Sequence, residues 1–313
     1  MQTIKTINNF TTAVHTALAA AFPECRIEAA SVTKNNGVHF TGLTVRPQSQ
    51  RIAPTIYMDP YFDMLQSGES IETVIDQIVS CCTAALSCAQ NGIDAGDITD
   101  FEQVKDKICY KLASRDLNSE LLSVVPHRNY HDLAVIYYIR LCMTDNGMAT
   151  ITVTDNLARI WGADEETLYN LACTNTPILN RGCIMPVLDV LDNLCGAKEA
   201  AARESSTYDN FDFTYIGNGE MPMYVATNKN KIYGAGILLY AGLLAAVAER
   251  IGSFYVLPSS VHELIIIPDT FGDPSELRQM VKSINGTEVQ AEEILSDNCY
   301  HYDAGTHELK IAA

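Results

Sequence analysis

MYVATNKNKIYGAGILLYAGLLAAVAERIGSFYVLPSSVHELIIIP, residues 223–268, is the stretch whose reading decides the fold. Its centre, Ile232 to Ala248, carries no charge. A bilayer span needs about 20 apolar residues, and this run is short for one and carries Gly234, Gly236 and Gly242. Strand-like segments bracket it, Met223–Thr227 before and Ser253–Leu257 after, and Val261–Ile267 adds a third. The spacing therefore predicts a central buried helix near 234–250, packed among strands. Strand, helix, strand, strand is not a regular βαβ wind, and it points to a mixed α+β fold.

The same reading extends outward. Ile71, Val74, Ile75, Ile78, Val79, Cys82, Ala85 and Leu86 form an i, i+3, i+4, i+7 stripe, with Ser70 as N-cap and Gly92 as stop. Thr99-Asp100-Phe101-Glu102 reads as a capping box for a helix bearing Val104, Ile108 and Leu112. Asp273-Pro274-Ser275-Glu276 starts another helix, with Leu277, Met280, Val281 and Ile284 facing inward and Gly286 at its end. Near the N-terminus, Ile4, Ile7, Phe10, Val14 and Leu18 mark one face of an amphipathic helix. Turn residues that tolerate positive φ predict hairpins at Asn36-Gly37, Asn146-Gly147 and Asp303-Ala304-Gly305. The expected architecture is hairpin-rich sheets packed with helices. Its division is an N-terminal α+β region, 1–122, and a C-terminal one, 123–313, with a soft linker at 198–210; one compact unit is the other possibility.

Composition narrows the function. The chain has 313 residues and a net charge of −17, with 38 acidic against 21 basic residues. No basic stripe is visible, which argues against nucleic acid and anionic membranes as partners. The acidic balance reads as an ordinary soluble bacterial-type surface, and the other reading is an acidic face that mimics DNA or docks a basic protein partner. The ten cysteines lack zinc-type C-x-x-C spacing, and in a chain without a secretory signal they read as reduced core residues. No cofactor and no metal are expected, and the location expected is cytoplasmic. Gly234-Ala235-Gly236 lacks the third glycine of a dinucleotide loop and reads as close helix packing. Asp164-Glu165-Glu166 complements the dipole at a helix start.

Two clusters carry candidate chemistry. Ser260 and His262 share a strand face at i and i+2, a spacing that suits nucleophile and base. They are weak catalytic candidates, because no G-x-S-x-G elbow surrounds Ser260, and His262-Glu263 lacks the second histidine of H-E-x-x-H. Pro258 and Ser259-Ser260 equally suit a turn whose hydroxyls bond the local backbone. The second cluster is His127, Arg128, His131 and Asp132. Arg128 suits a bidentate grip on a carboxylate or phosphate, or an internal pair with Glu263 or Asp132. The candidate binding residues are Arg128, His127, His131 and Glu263.

Pro126-His127-Arg128, Asp132-Leu133-Ala134-Val135, Met223 to Asn228, Leu257 to Glu263 and Leu295-Ser296-Asp297 with Tyr300 and Tyr302 resemble a domain-of-unknown-function family of clostridial genomes and mobile elements. The likeness runs over most of the chain. Asp132–Tyr137 and Leu168–Asn175 are more distantly similar to the YtpQ-like bacterial proteins. The resemblance implies a cytosolic α/β mixture and carries over no catalytic residue. The expected function is a non-enzymatic interaction or regulatory module. The alternative is a small-molecule-binding protein or hydrolase using Ser260 and His262, with Arg128 as anion anchor.

Overall fold

The computed structural model describes residues 5–48, 53–91, 97–144, 147–195, 204–215 and 222–313. The chain divides into two compact units, 1–106 with 139–151, and 107–138 with 152–313. It is a mixed α+β fold of hairpin-rich sheets packed with helices, as the sequence predicts.

The first unit opens with α1 (Ile7–Ala21), then β1 (Cys25–Thr33), β2 (His39–Pro47), β3 (Thr55–Tyr57), α2 (Met58–Gln66), α3 (Ile71–Asn91) and α4 (Phe101–Val104). The strands form an antiparallel sheet in the order β1-β2-β3. Phe10, Val14 and Leu18 of α1 meet Val74, Ile78 and Cys82 of α3 in one core with Leu43 and Val45. Ser70 caps α3 as expected, its hydroxyl accepting from the Thr73 N–H at 3.0 Å. Asn36, at φ +59, makes the β1–β2 turn. Gly92, Asn146 and Ile4 lie outside the described residues.

The second unit begins where the sequence misleads. Asp100 caps α4, but α4 ends at Val104, and Ile108 opens strand β4 (Ile108–Ser114). Val104, Ile108 and Leu112 fit a helical period, yet six of the seven β4 positions are buried. A run buried on both faces suits a central strand as well as a helix, and Ile108, Cys109 and Tyr110 favour the strand. Then come α5 (Ser119–Leu122), β5 (His127–Tyr130), β6 (Leu133–Thr144), β7 (Gly147–Thr152), α6 (Asp155–Trp161), α7 (Glu165–Leu179), β8 (Gly182–Pro186) and α8 (Val187–Cys195). The boundary between the units falls inside β6, after Tyr138. β9 (Glu204–Thr207), β10 (Phe211–Tyr215), β11 (Tyr224–Asn228), α9 (Leu243–Ile251), β12 (Phe254–Leu257), β13 (Leu264–Pro268), α10 (Pro274–Thr287), β14 (Tyr300–Asp303) and β15 (Glu308–Ile311) complete the chain. Of the expected linker, residues 204–210 are described, and Glu204–Thr207 within them is strand β9.

An eight-stranded sheet runs β15-β14-β12-β13-β11-β8-β10-β9, and only β8 with β10 is a parallel pair among the registers. The uncharged run is buried, as predicted, but in two pieces. Gly234–Leu239 winds as a tight 3-10 segment, and α9 follows. The break lies at Gly242, whose φ of +76 suits glycine. Gly234 packs so closely that an added Cβ would lie 2.2 Å from the His262 carbonyl oxygen. Asp273 caps α10, accepting from the Ser275 and Glu276 amides. The inward stripe of that helix is Leu277, Val281 and Asn285, whereas Met280 and Ile284 are exposed.

Candidate functional site

All the candidate residues lie in the second unit, and the motif stretches meet there at one carboxylate. Asp132 stands at the turn between β5 and β6 and accepts from Ser296 Oγ at 2.6 Å, Asn298 Nδ2 at 2.9 Å and the Tyr300 hydroxyl. The next links are backbone bonds, from the Ser296 and Leu295 amides to the carbonyls of Pro258 and Ser259 at 2.9 Å each. The stretches around 132, 258 and 296 are thereby tied into one latch. His131, at φ +56, rests beside the rings of Tyr130 and Tyr300, and its carbonyl accepts from Arg115. Burial, then the bond to Asp132, pushes the Tyr300 hydroxyl well above the usual tyrosine range.

Arg128 makes neither of the expected pairs. Its Nε and Nη2 reach Glu165 at 3.1 and 2.8 Å, Nη2 also reaches Glu166, and the guanidinium lies 3.8 Å over the Tyr169 ring. The Tyr137 hydroxyl donates to the same Glu165. Glu165 and Glu166 begin α7, with Asp164 as N-cap accepting from Thr167. The acidic triplet thus complements the helix dipole, as predicted, and also neutralises a guanidinium on the neighbouring strand. Bonding to Glu165 pushes the Arg128 pKa further up. Burial raises the Tyr137 and Tyr169 hydroxyls and the Cys173 thiol, so none of these groups is a ready anion at neutral pH.

An open groove of about 500 Å³ lies beside this clamp. Leu122, Val125 and Ala158 give it apolar walls, and His127, Asp155, Arg159 and Glu165 contribute polar ones. His127 Nδ1 lies 3.0 Å from the Val125 carbonyl. A carbonyl only accepts, so Nδ1 carries a proton and donates, which leaves Nε2 as the ring nitrogen for any partner in the groove. Val124 and Ile160, each 54% exposed, adjoin lining residues Val125 and Arg159 in sequence.

Ser260 and His262 are arranged differently from the expected pair. Val261 and His262 form a bend ahead of β13, so strand alternation does not govern them. Ser260 Oγ accepts from the backbone N–H of His262 at 3.1 Å, which is the local turn bond. The His262 ring accepts at Nδ1 from the Tyr233 amide at 3.3 Å, and its Nε2 lies 3.4 Å from Glu293. Its Nδ1 is therefore occupied by a backbone donor, whereas that of His127 donates. Glu263 is exposed. Among the described residues no hydrogen bond or ion pair joins Ser260, His262 or Glu263 to His127 or Arg128.

Sequence reading missed Glu165, Glu166 and Tyr169 as the partners of Arg128, and Ser296, Asn298 and Tyr300 as those of Asp132. Only the polar start of α7 carried a signal for the first set. No group of three His, Cys, Asp or Glu side chains among the described residues is arranged to hold a metal. No helix among them is long and apolar enough to cross a membrane. Burial pushes the Cys82 and Cys299 thiols up to about 12, as suits core cysteines. Cys142 is instead disulfide-bonded, which corrects the expectation of reduced cysteine at that position. Residues 7–304 match the model of DUF5688, a family of unknown function, and the chain belongs to that family. Neither a curated protein nor a solved structure matches.

Proposed function

We propose that this DUF5688 member is a non-enzymatic interaction or regulatory module, and that its groove beside His127 receives a basic segment of a protein partner. The observation that carries this reading is the clamp on Arg128. The guanidinium faces two carboxylates and an aromatic ring, so its charge is answered inside the molecule. An anion arriving there would compete with Glu165 and Glu166 at close range. The hydrolase alternative asks for a Ser260 hydroxyl bonded to the His262 ring, and that hydroxyl meets the backbone instead. The groove has apolar walls, carboxylates at Asp155 and Glu165 and one cation, Arg159, which donates to Asn156, on a chain of net charge −17. Charge complementarity then favours a partner segment with an apolar anchor and flanking Lys or Arg. His127 Nε2 is the ring nitrogen left to meet such a segment. Arg128 acts from behind the wall, by holding Glu165 in place. His131 and Glu263 belong to the partner surface only if it extends beyond the groove.

The same reading takes the protein as soluble and cytoplasmic, with neither nucleic acid nor membrane as partner. It takes its host as a clostridial bacterium, its setting as a mobile element, and the YtpQ-like proteins as distant kin. The test is affinity capture from host extract with the wild-type chain and with a Val124→Asp/Ile160→Asp variant of unchanged thermal stability. We expect a basic protein that the wild type holds and the variant loses. That complex should also weaken in about 1 M salt, where the screening length falls to about 3 Å. Equal recovery by both chains, or a complex indifferent to salt, contradicts the proposal.

A further inference from the structure

α10 carries a second concavity, apart from the groove and the latch. Ser275, Arg278, Gln279 and Lys282 stand at i, i+3, i+4 and i+7 on one helical face. With Asp297 and Ala313 they line a cavity of about 330 Å³. The opposite wall is fixed from inside. Asn285, 5% exposed, takes the place on the buried stripe where an apolar residue is the ordinary choice. Its Nδ2 donates to the Ser296 carbonyl at 3.0 Å and to Asp297 Oδ1 at 2.9 Å. This holds the Asp297 carboxylate at the cavity with Oδ2 left to accept.

Arg278 and Lys282 make no ion pair among the described residues, with each other's cavity wall or elsewhere. A cation pair on one wall and a carboxylate on the other, unjoined, is a lining of both signs across a small space. A plain anion gains from Arg278 and Lys282 but is opposed by Asp297 and by the net charge of the chain. A molecule with both charges and no net charge meets neither opposition.

We infer that this cavity binds a small zwitterion of the α-amino carboxylate class, with its carboxylate on Arg278 and Lys282 and its ammonium on Asp297. The test is calorimetric titration of the full chain with L-alanine, propionate, ethylamine and inorganic phosphate. Alanine should bind saturably, and each of the other three should bind about tenfold or more weakly, because each loses at least one charge-assisted contact. Arg278→Gln/Lys282→Met should abolish alanine binding. Asp297→Asn keeps the acceptor for Asn285; it should weaken alanine about tenfold and bring propionate up to the level of alanine. These side chains stand at the surface, and an unchanged melting temperature verifies each variant's fold. The inference is overturned if alanine fails to bind or propionate or phosphate binds as well as alanine to the wild type. Alanine binding that survives both variants overturns it too.

Discussion

Asp132 shows how much one carboxylate can organise. Its three donors lie within five residues, from Ser296 to Tyr300, yet more than 160 positions away along the chain. Asp132→Ala would leave those donors without their acceptor, and we expect a loss of about 2–3 kcal/mol in urea unfolding. An unchanged unfolding midpoint would show that the latch is not structural. Asp212 provides the clearest pH dependence. Arg181, then Lys229, hold its carboxyl down at about 2. Its unfolded value is about 3.9, so its contribution is complete above that pH and is lost as pH falls toward 2. Asp212→Asn should remove up to about 2 kcal/mol of stability at neutral pH. It should also flatten the acid side of the stability profile between about pH 4 and 2. A profile with the wild-type slope in that window would refute the pairing. At this scale the sequence was legible for the type of interaction and not for its partners. Arg128 and Asp132 were recognisable as groups needing company, but Glu165 lies 37 residues from Arg128. Spacing carries no information about such pairs.

Among the elements, capping residues and turn residues were the readable signals, because their causes are local. Ser70 and Asp273 each accept from a backbone amide at a helix start, where the sequence placed them, whereas α4 is capped by Asp100, one residue after the Thr99 that the capping-box pattern names. The failures came where tertiary burial overrides periodicity. Val104, Ile108 and Leu112 fit a helix and straddle α4 and β4 instead, since that segment is buried on both faces. Val261 to Glu263 was read as the start of a strand, yet Val261 and His262 form a bend, next to Pro258 and Ser259, which give their carbonyls to the 295–296 segment. That bend sets the packing of the uncharged run. Thr227 Oγ1 donates to the His262 carbonyl at 2.7 Å, and Gly234 presses against both. Gly234→Ala places a Cβ 2.1 Å from Thr227 Oγ1, and should cost about 1–3 kcal/mol through forced displacement. A thermal melt within error of wild type would show that the bend yields freely. Cys82, Cys109 and Cys299, all fully buried, should stay unmodified by a thiol reagent in the native state and react on unfolding. Rapid native labelling of Cys299 would contradict its placement.

For the molecule as a whole, the fold class was legible because composition, hairpin turns and the bracketed apolar run all pointed one way. The function was less so, since the chain offers polar motifs whose chemistry depends on what they meet. Ser260, His262, Arg128 and Asp132 all find internal partners. That leaves the groove at Leu122, Val125 and His127, with its acidic members, as the surface that an interaction module would use. A photo-crosslinking residue in place of the exposed Val124, activated in the native host, tests this most directly. One dominant crosslinked partner is expected, with the bond on a segment rich in Lys or Arg, and that product should be lost when Ile160 is replaced by Asp. A product spectrum no different from that of the same crosslinker at exposed Phe271, or one unaffected by Ile160→Asp, would contradict it.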